Sequence, residues 1–112
     1  MSNDFEIREF RTSGGARIFA IPLQLFPILQ GFAYLVVDEE ENRLSFSLID
    51  SGSGTLDSNQ NLISGLKFVG EMMGQELDLS RLDRIFITHG HIDHFGGCVQ
   101  LRSRTSARVY IH

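Results

Sequence analysis

Apolar and polar positions alternate with period two over most of the first fifty residues of this chain, then change to a helical period, then return to short apolar runs. Phe5, Ile7 and Phe10 interleave with Glu6, Arg8 and Glu9, the weak alternation of an edge strand over residues 5–11. Gly14-Gly15 breaks the chain, and Arg17 to Leu23 reads as a strand that ends around Pro22, since proline cannot donate to a ladder. Pro27 and Gly31 bracket a loop through Phe26, Ile28 and Leu29. Phe32 to Val37 is almost continuously apolar, which predicts a strand covered on both faces. Asp38 to Arg43 supplies the turn into Leu44, Phe46 and Leu48, which alternate with Ser45 and Ser47 before Ile49 and Asp50. These last two runs predict an antiparallel hairpin with a connection of about four to six residues.

Ser51 to Thr55 is a Gly/Ser loop, and beyond it the period changes. Leu62, Leu66, Val69 and Met73 recur at spacings of four, three and four, the stripe of an amphipathic helix with Asp57 or Ser58 as its cap. Gly65, Gly70 and Gly74 each cost an exposed helix about 1 kcal/mol relative to alanine. The stability of this helix therefore has to come from packing its stripe on a sheet. Arg84 to Thr88 reads as a short strand, Phe95 to Leu101 as a helix, and Arg108 to Ile111 as a further strand.

A length of 112 residues allows one small domain. The hydrophobic share of 42%, with nine phenylalanines, argues for a packed core and against disorder. A formal net charge of −4 with scattered Lys and Arg leaves no electrostatic footprint for nucleic acid. Cys98 is the one cysteine in the sequence, so no intrachain disulfide forms and nothing points to an oxidising compartment. Met1-Ser2-Asn3-Asp4 carries no basic region ahead of an apolar core, and no stretch reaches the ~20 apolar residues of a membrane span. The expectation is a soluble, cytoplasmic protein with no membrane partner.

The chemistry is concentrated in Ile87-Thr88-His89-Gly90-His91-Ile92-Asp93-His94-Phe95-Gly96-Gly97. Three of the four histidines and an aspartate fall within positions 89–94, after an apolar run and before a double glycine. Imidazole and carboxylate are donors that suit Zn, Fe or Mn. His89 and His91, two apart in extended chain, face the same way and converge on one ion. Asp93 and His94 follow where the chain must turn, within reach of a second ion. Two ions ~3.5–4 Å apart can share a bridging hydroxide and hold both oxygens of a transition state. Gly96-Gly97 removes Cβ atoms where the following helix begins against the site. A surface or core role explains any one of these histidines, but not this concentration of donors. His112, at the end of a strand after Tyr110-Ile111, reads as a non-ligand, and Cys98 as a core residue rather than a ligand or nucleophile.

Asp50 closes an apolar strand, where a carboxylate is costly to bury without partners. It either caps the amides of the following loop or accepts the outer N–H of a ligand imidazole, which fixes the ring. Ser51-Gly52-Ser53-Gly54 lacks the lysine and the glycine spacing of a phosphate-cradling loop.

Thr88 to Gly97 resembles the signature T-H-x-H-x-D-H-x-G-G of the metallo-beta-lactamase-fold hydrolases. Leu48-Ile49-Asp50-Ser51-Gly52 resembles the L-I-D-[ST]-G strand end of the same superfamily, and the order of elements matches from about residue 16 onward. The resemblance implies an α/β fold, the N-terminal half of an αβ/βα sandwich with a mixed, largely antiparallel sheet. It implies His89 and His91 on one metal, and Asp93 and His94 on the other. Asp93 is also implied to orient or accept a proton during hydrolysis, with Asp50 in support. Two divalent ions, zinc first and iron or manganese as alternatives, are the implied cofactors. The implied reaction is hydrolysis of a small-molecule thioester, lactone or other ester, of the glyoxalase-II-like kind. Beta-lactam or phosphodiester cleavage, an iron-dependent oxidoreductase or dioxygenase, and a non-catalytic binding or assembly module are the rival readings.

Members of that superfamily take a further histidine, a bridging aspartate and a last histidine from beyond the first half of the fold, and no residue here matches them. Residues 1–112 are therefore expected to be the N-terminal part of a single such domain, incomplete, and joined by a C-terminal fragment or by further copies. The sheet surface left for that partner is expected to include Phe32, Leu35, Val37, Ile85 and Ile87.

Overall fold

The computed structural model describes residues 6–88, 96–98 and 101–111. Six strands form one sheet in chain order: β1 (Arg8–Arg11), β2 (Arg17–Phe26), β3 (Leu29–Glu40), β4 (Arg43–Ile49), β5 (Arg84–Ile87) and β6 (Arg108–Ile111). β1 to β4 run as an antiparallel meander, while β5 is parallel to β4 and β6 is parallel to β5. A parallel pair needs a crossover, and helix α1 (Leu56–Met73) supplies the one between β4 and β5. Residues 96–98 are helical in the second connection. The result is an α/β layer pair with a mixed, largely antiparallel sheet, as expected of the N-terminal portion of an αβ/βα sandwich.

The stripe of α1 lies where its period placed it. Leu62, Leu66 and Val69 are fully buried in one core with Phe19, Ile21, Leu23, Leu35, Phe46 and Leu48. Burying each of those three side chains contributes about 1.5–3 kcal/mol, more than the ~1 kcal/mol that each helix glycine costs. Gly65 also serves the packing, because a Cβ there would lie 2.4 Å from Ile21 Cγ2. The cap is Thr55 rather than Asp57 or Ser58: its backbone is still extended, and its side chain accepts from the Ser58 amide at 3.2 Å. Asp57 instead falls in the first turn, where its charge still favours the helix dipole.

Three strand boundaries differ from those the local sequence predicts. β2 continues through Pro22, which sits opposite Phe32; pairing with β1 reaches only to Ala20, so the missing donor costs no bond on that side. Gly31 lies within β3 opposite Leu23, and the turn is only Pro27-Ile28. A Cβ on Gly31 would come 2.6 Å from Leu25 Cδ1, so this glycine marks a close contact inside the hairpin. Asp38 to Glu40 belong to β3, and the β3–β4 turn tightens to Glu41-Asn42 with φ of 51° and 66°, the left-handed pair that a two-residue hairpin requires.

β3 is buried on one face only. Ala33, Leu35 and Val37 enter the core, whereas Phe32 and Tyr34 are 46% and 38% exposed. Ile85 and Ile87 are buried with Leu35 and Val37, so of the surface expected to be uncovered only Phe32 is exposed. The uncovered surface is the opposite face, where Phe32 and Tyr34 alternate with the core positions of β3 and Phe86 with those of β5, and where Phe10 and Tyr110 are also exposed. Phe86 and Tyr110 stack there with ring centroids 5.1 Å apart. Among the described residues no helix is long and apolar enough to cross a membrane.

Candidate metal centre

The four predicted ligands, His89, His91, Asp93 and His94, lie outside the described residues, as does His112. Among the described residues no group of three or more His, Cys, Asp or Glu side chains is placed to hold a metal. The described residues do supply the frame on either side of the ligand motif.

β4 and β5 run parallel and end side by side, with Ile49 opposite Phe86. Asp50 leaves the end of β4 and Thr88 leaves the end of β5, the carboxyl ends of parallel strands where open α/β sheets collect their ligands. Asp50 takes a left-handed conformation, φ 63°, which aspartate tolerates better than most residues. Its amide donates to the Phe86 carbonyl at 2.7 Å. Its carboxylate reaches across to β5: Oδ1 accepts from the Thr88 amide at 2.9 Å, and Oδ2 from the Thr88 hydroxyl at 2.8 Å. Asp50 is only 6% exposed, and these charge-assisted bonds offset the cost of burying it. The sequence offered loop capping or an imidazole partner; a grip on the Thr88 strand end is a further role.

The Ser51 to Thr55 loop turns its hydroxyls inward. Ser51, Ser53 and Ser58 are buried. Ser53 Oγ donates to the Leu25 carbonyl, and the Ser53 amide donates to Ser58 Oγ at 3.2 Å. On its other side the loop meets the segment that follows the motif: the Gly97 amide donates to the Gly52 carbonyl at 3.0 Å, and the Cys98 amide to Ser51 Oγ at 2.7 Å. The two backbones touch. A Cβ on Gly96 would lie 2.0 Å from the Ser53 carbonyl oxygen, and one on Gly97 only 1.8 Å from that of Ser51. The double glycine is thus required by the Asp-Ser-Gly loop, which gives the expected absence of Cβ atoms a definite neighbour.

Thr88, Ser51, Ser53 and Ser58 are residues whose roles local patterning missed. The available signal was a run of hydroxyl side chains between an apolar strand and an apolar helix stripe, where buried backbone ends need partners. Cys98 is partly buried and packs against the core, and burial pushes its thiol up from the ordinary value, with Arg102 acting weakly in the opposite sense. A thiol held protonated is a poor ligand and nucleophile.

Residues 27–112 match the Metallo-beta-lactamase superfamily. No curated protein matches the chain. Among solved structures, it is similar to a metallo-beta-lactamase from Pseudomonas aeruginosa in a mono-zinc form, at 14% identity and a TM-score of 0.55, covering 98% of this chain and 43% of that one. A beta-lactamase domain protein from Burkholderia ambifaria gives 19% identity and a TM-score of 0.54, covering 99% of this chain and 31% of that one. A HARLDQ-motif mutant of a metallo-beta-lactamase from Cronobacter sakazakii gives 21% and 0.53, covering 93% and 34%. At these identities the likeness is one of fold, and the chain spans less than half the length of each. The family match over residues 27–112, on a sheet and crossover of this form, places the chain in the metallo-beta-lactamase superfamily.

Proposed function

We propose that this chain carries the first part of the metal site of a hydrolase acting on a thioester, lactone or other ester. The observation that carries the reading is the frame just described. Asp50 at the end of β4 grips Thr88 immediately before the motif, and Ser51 to Ser53 receive Gly96 to Cys98 immediately after it. The residues fit a pair of divalent ions: three imidazoles and a carboxylate are donors of the right type. His89 and His91 would hold one ion, and Asp93 and His94 the other. When bound, such ions supply a nucleophile from water at neutral pH and positive charge opposite the developing oxyanion.

Asp93 orients the attacking water or accepts its proton. Asp50, already fixed by its bonds to Thr88, supports the ligand side chains from behind. Four protein groups do not complete two coordination shells, so the proposal includes further ligands from outside these residues. The protein acts on a small molecule, without nucleic acid or membrane, in the cytoplasm.

Turnover of a thioester and lactone panel by the full-length protein tests this, with His89→Ala and Asp93→Ala alongside. Metal-dependent turnover in the wild type and its loss in both variants are expected. Wild-type rates in either variant would refute the assignment. Stoichiometric iron with oxygen consumption, in place of zinc with hydrolysis, would move the protein to the oxidoreductases of the fold, because imidazole and carboxylate serve both metals.

A further inference from the structure

We propose that residues 50–53 form a two-ended clamp on the ligand segment, and that Thr88 and Ser51 are positioning residues for metal binding. The inference rests on the reading of residues 89–94 as metal ligands. At one end, Thr88 is held twice by the Asp50 carboxylate, through its amide and its hydroxyl. At the other end, the Gly97 amide is held by the Gly52 carbonyl and the Cys98 amide by the Ser51 hydroxyl. Consecutive residues of one short loop thus fix both boundaries of residues 89–95.

The loop is itself anchored independently of the motif. The Asp50 amide bonds the Phe86 carbonyl, Ser53 Oγ bonds the Leu25 carbonyl, and Ser58 Oγ receives the Ser53 amide from the first turn of α1. β2, β5 and α1 therefore all set the position of the clamp. Ligand constellations must be held to within about 0.5 Å of their productive geometry, and a segment fixed at one end only would be free to swing.

The two hydroxyls do separable work. Thr88 Oγ1 donates, so Thr88→Val keeps the shape and removes the bond, while Thr88→Ser keeps the bond. Ser51 Oγ accepts from the Cys98 amide, so Ser51→Ala leaves that amide without this acceptor, while Ser51→Thr restores it. Neither side chain is among the assigned ligands.

Titration of the metal-free full-length protein with Co(II), followed by visible absorption, tests the clamp. Wild type should bind Co(II) with a defined ligand-field spectrum, and His89→Ala should lose it. Thr88→Val and Ser51→Ala should each bind about tenfold more weakly with an altered spectrum, and Thr88→Ser and Ser51→Thr should recover both. General destabilisation would not change the spectrum of the bound ion, so the spectrum separates positioning from folding. If Thr88→Val does not fold, Ser51→Ala decides alone, since it removes one acceptor at the opposite end. Wild-type affinity and spectrum in the folded Thr88→Val or Ser51→Ala variant would overturn the clamp and leave the metal reading standing. A wild-type protein that takes up no Co(II) would overturn the metal reading itself, and the clamp with it.

Discussion

Replacing Gly97 with alanine isolates the contact on which the frame of the site depends. The added Cβ would sit 1.8 Å from the Ser51 carbonyl oxygen and 2.8 Å from its carbon, both of them backbone atoms that cannot rotate aside. The helical segment must therefore retreat from the loop. Its retreat lengthens the 3.0 Å Gly97–Gly52 bond and the 2.7 Å Cys98–Ser51 bond beyond usefulness. Each lost bond costs about 0.5–1.5 kcal/mol, and overpacking adds about 1–3 kcal/mol. Together these give an expected loss of about 2–6 kcal/mol, a large part of the ~5–15 kcal/mol that holds a domain folded. Gly14→Ala is the control: its Cβ would meet only Thr12 Oγ1, at 3.8 Å, and the change should stay within about 0.5 kcal/mol. Urea unfolding of the full-length protein, read as a shift in midpoint at unchanged slope, gives both numbers. A Gly97→Ala protein within about 1 kcal/mol of wild type would refute the argument that the double glycine is there for backbone contact.

Leu66→Ala, at a fully buried position of α1, should cost about 2–5 kcal/mol in the same assay, while Met72→Ala at a half-exposed position of the same helix should cost under about 0.5 kcal/mol. The Arg17 guanidinium, bonded to Glu9 at 2.6 and 3.1 Å, holds the Glu9 carboxyl below its ordinary 4.5. The stability from this pair is therefore complete above pH 4.5 and is lost as pH falls through the lowered folded value. Glu9→Gln should lower stability at pH 7 by less than about 1 kcal/mol, since the pair is partly exposed, and should flatten the acid limb of the stability profile. Residues 1–112 expressed by themselves should self-associate through the Phe32, Tyr34 and Phe86 face, and Phe32→Ser with Phe86→Ser should reverse this in light scattering. A monodisperse wild-type monomer of 12.6 kDa would contradict that expectation.

Periodicity read the elements whose register is set by burial on one face. Leu62, Leu66 and Val69 declared α1, and Leu44, Phe46 and Leu48 declared β4, because each set enters the same core. Local punctuation misled where tertiary pairing overrode it. Pro22 reads as a strand end but sits beyond the reach of β1, and Gly31 reads as a loop but lies under Leu25. The apolar run of β3 announces burial without saying which face α1 covers, and in the structure Leu35 and Val37 enter the core while Phe32 stays exposed. At the site, the donors proposed as ligands were legible as a cluster because they are contiguous in sequence. The frame was not, because Asp50 meets Thr88 across 38 positions and Ser51 meets Cys98 across 47, and no local pattern encodes such pairs.

The metal content of the purified full-length protein, wild type against His91→Ala and Asp93→Ala, tests the central claim most directly. The proposed site predicts two divalent ions per wild-type chain, zinc foremost, and a loss of bound metal in each variant. A wild-type protein free of metal, or variants that retain the wild-type complement, would contradict it.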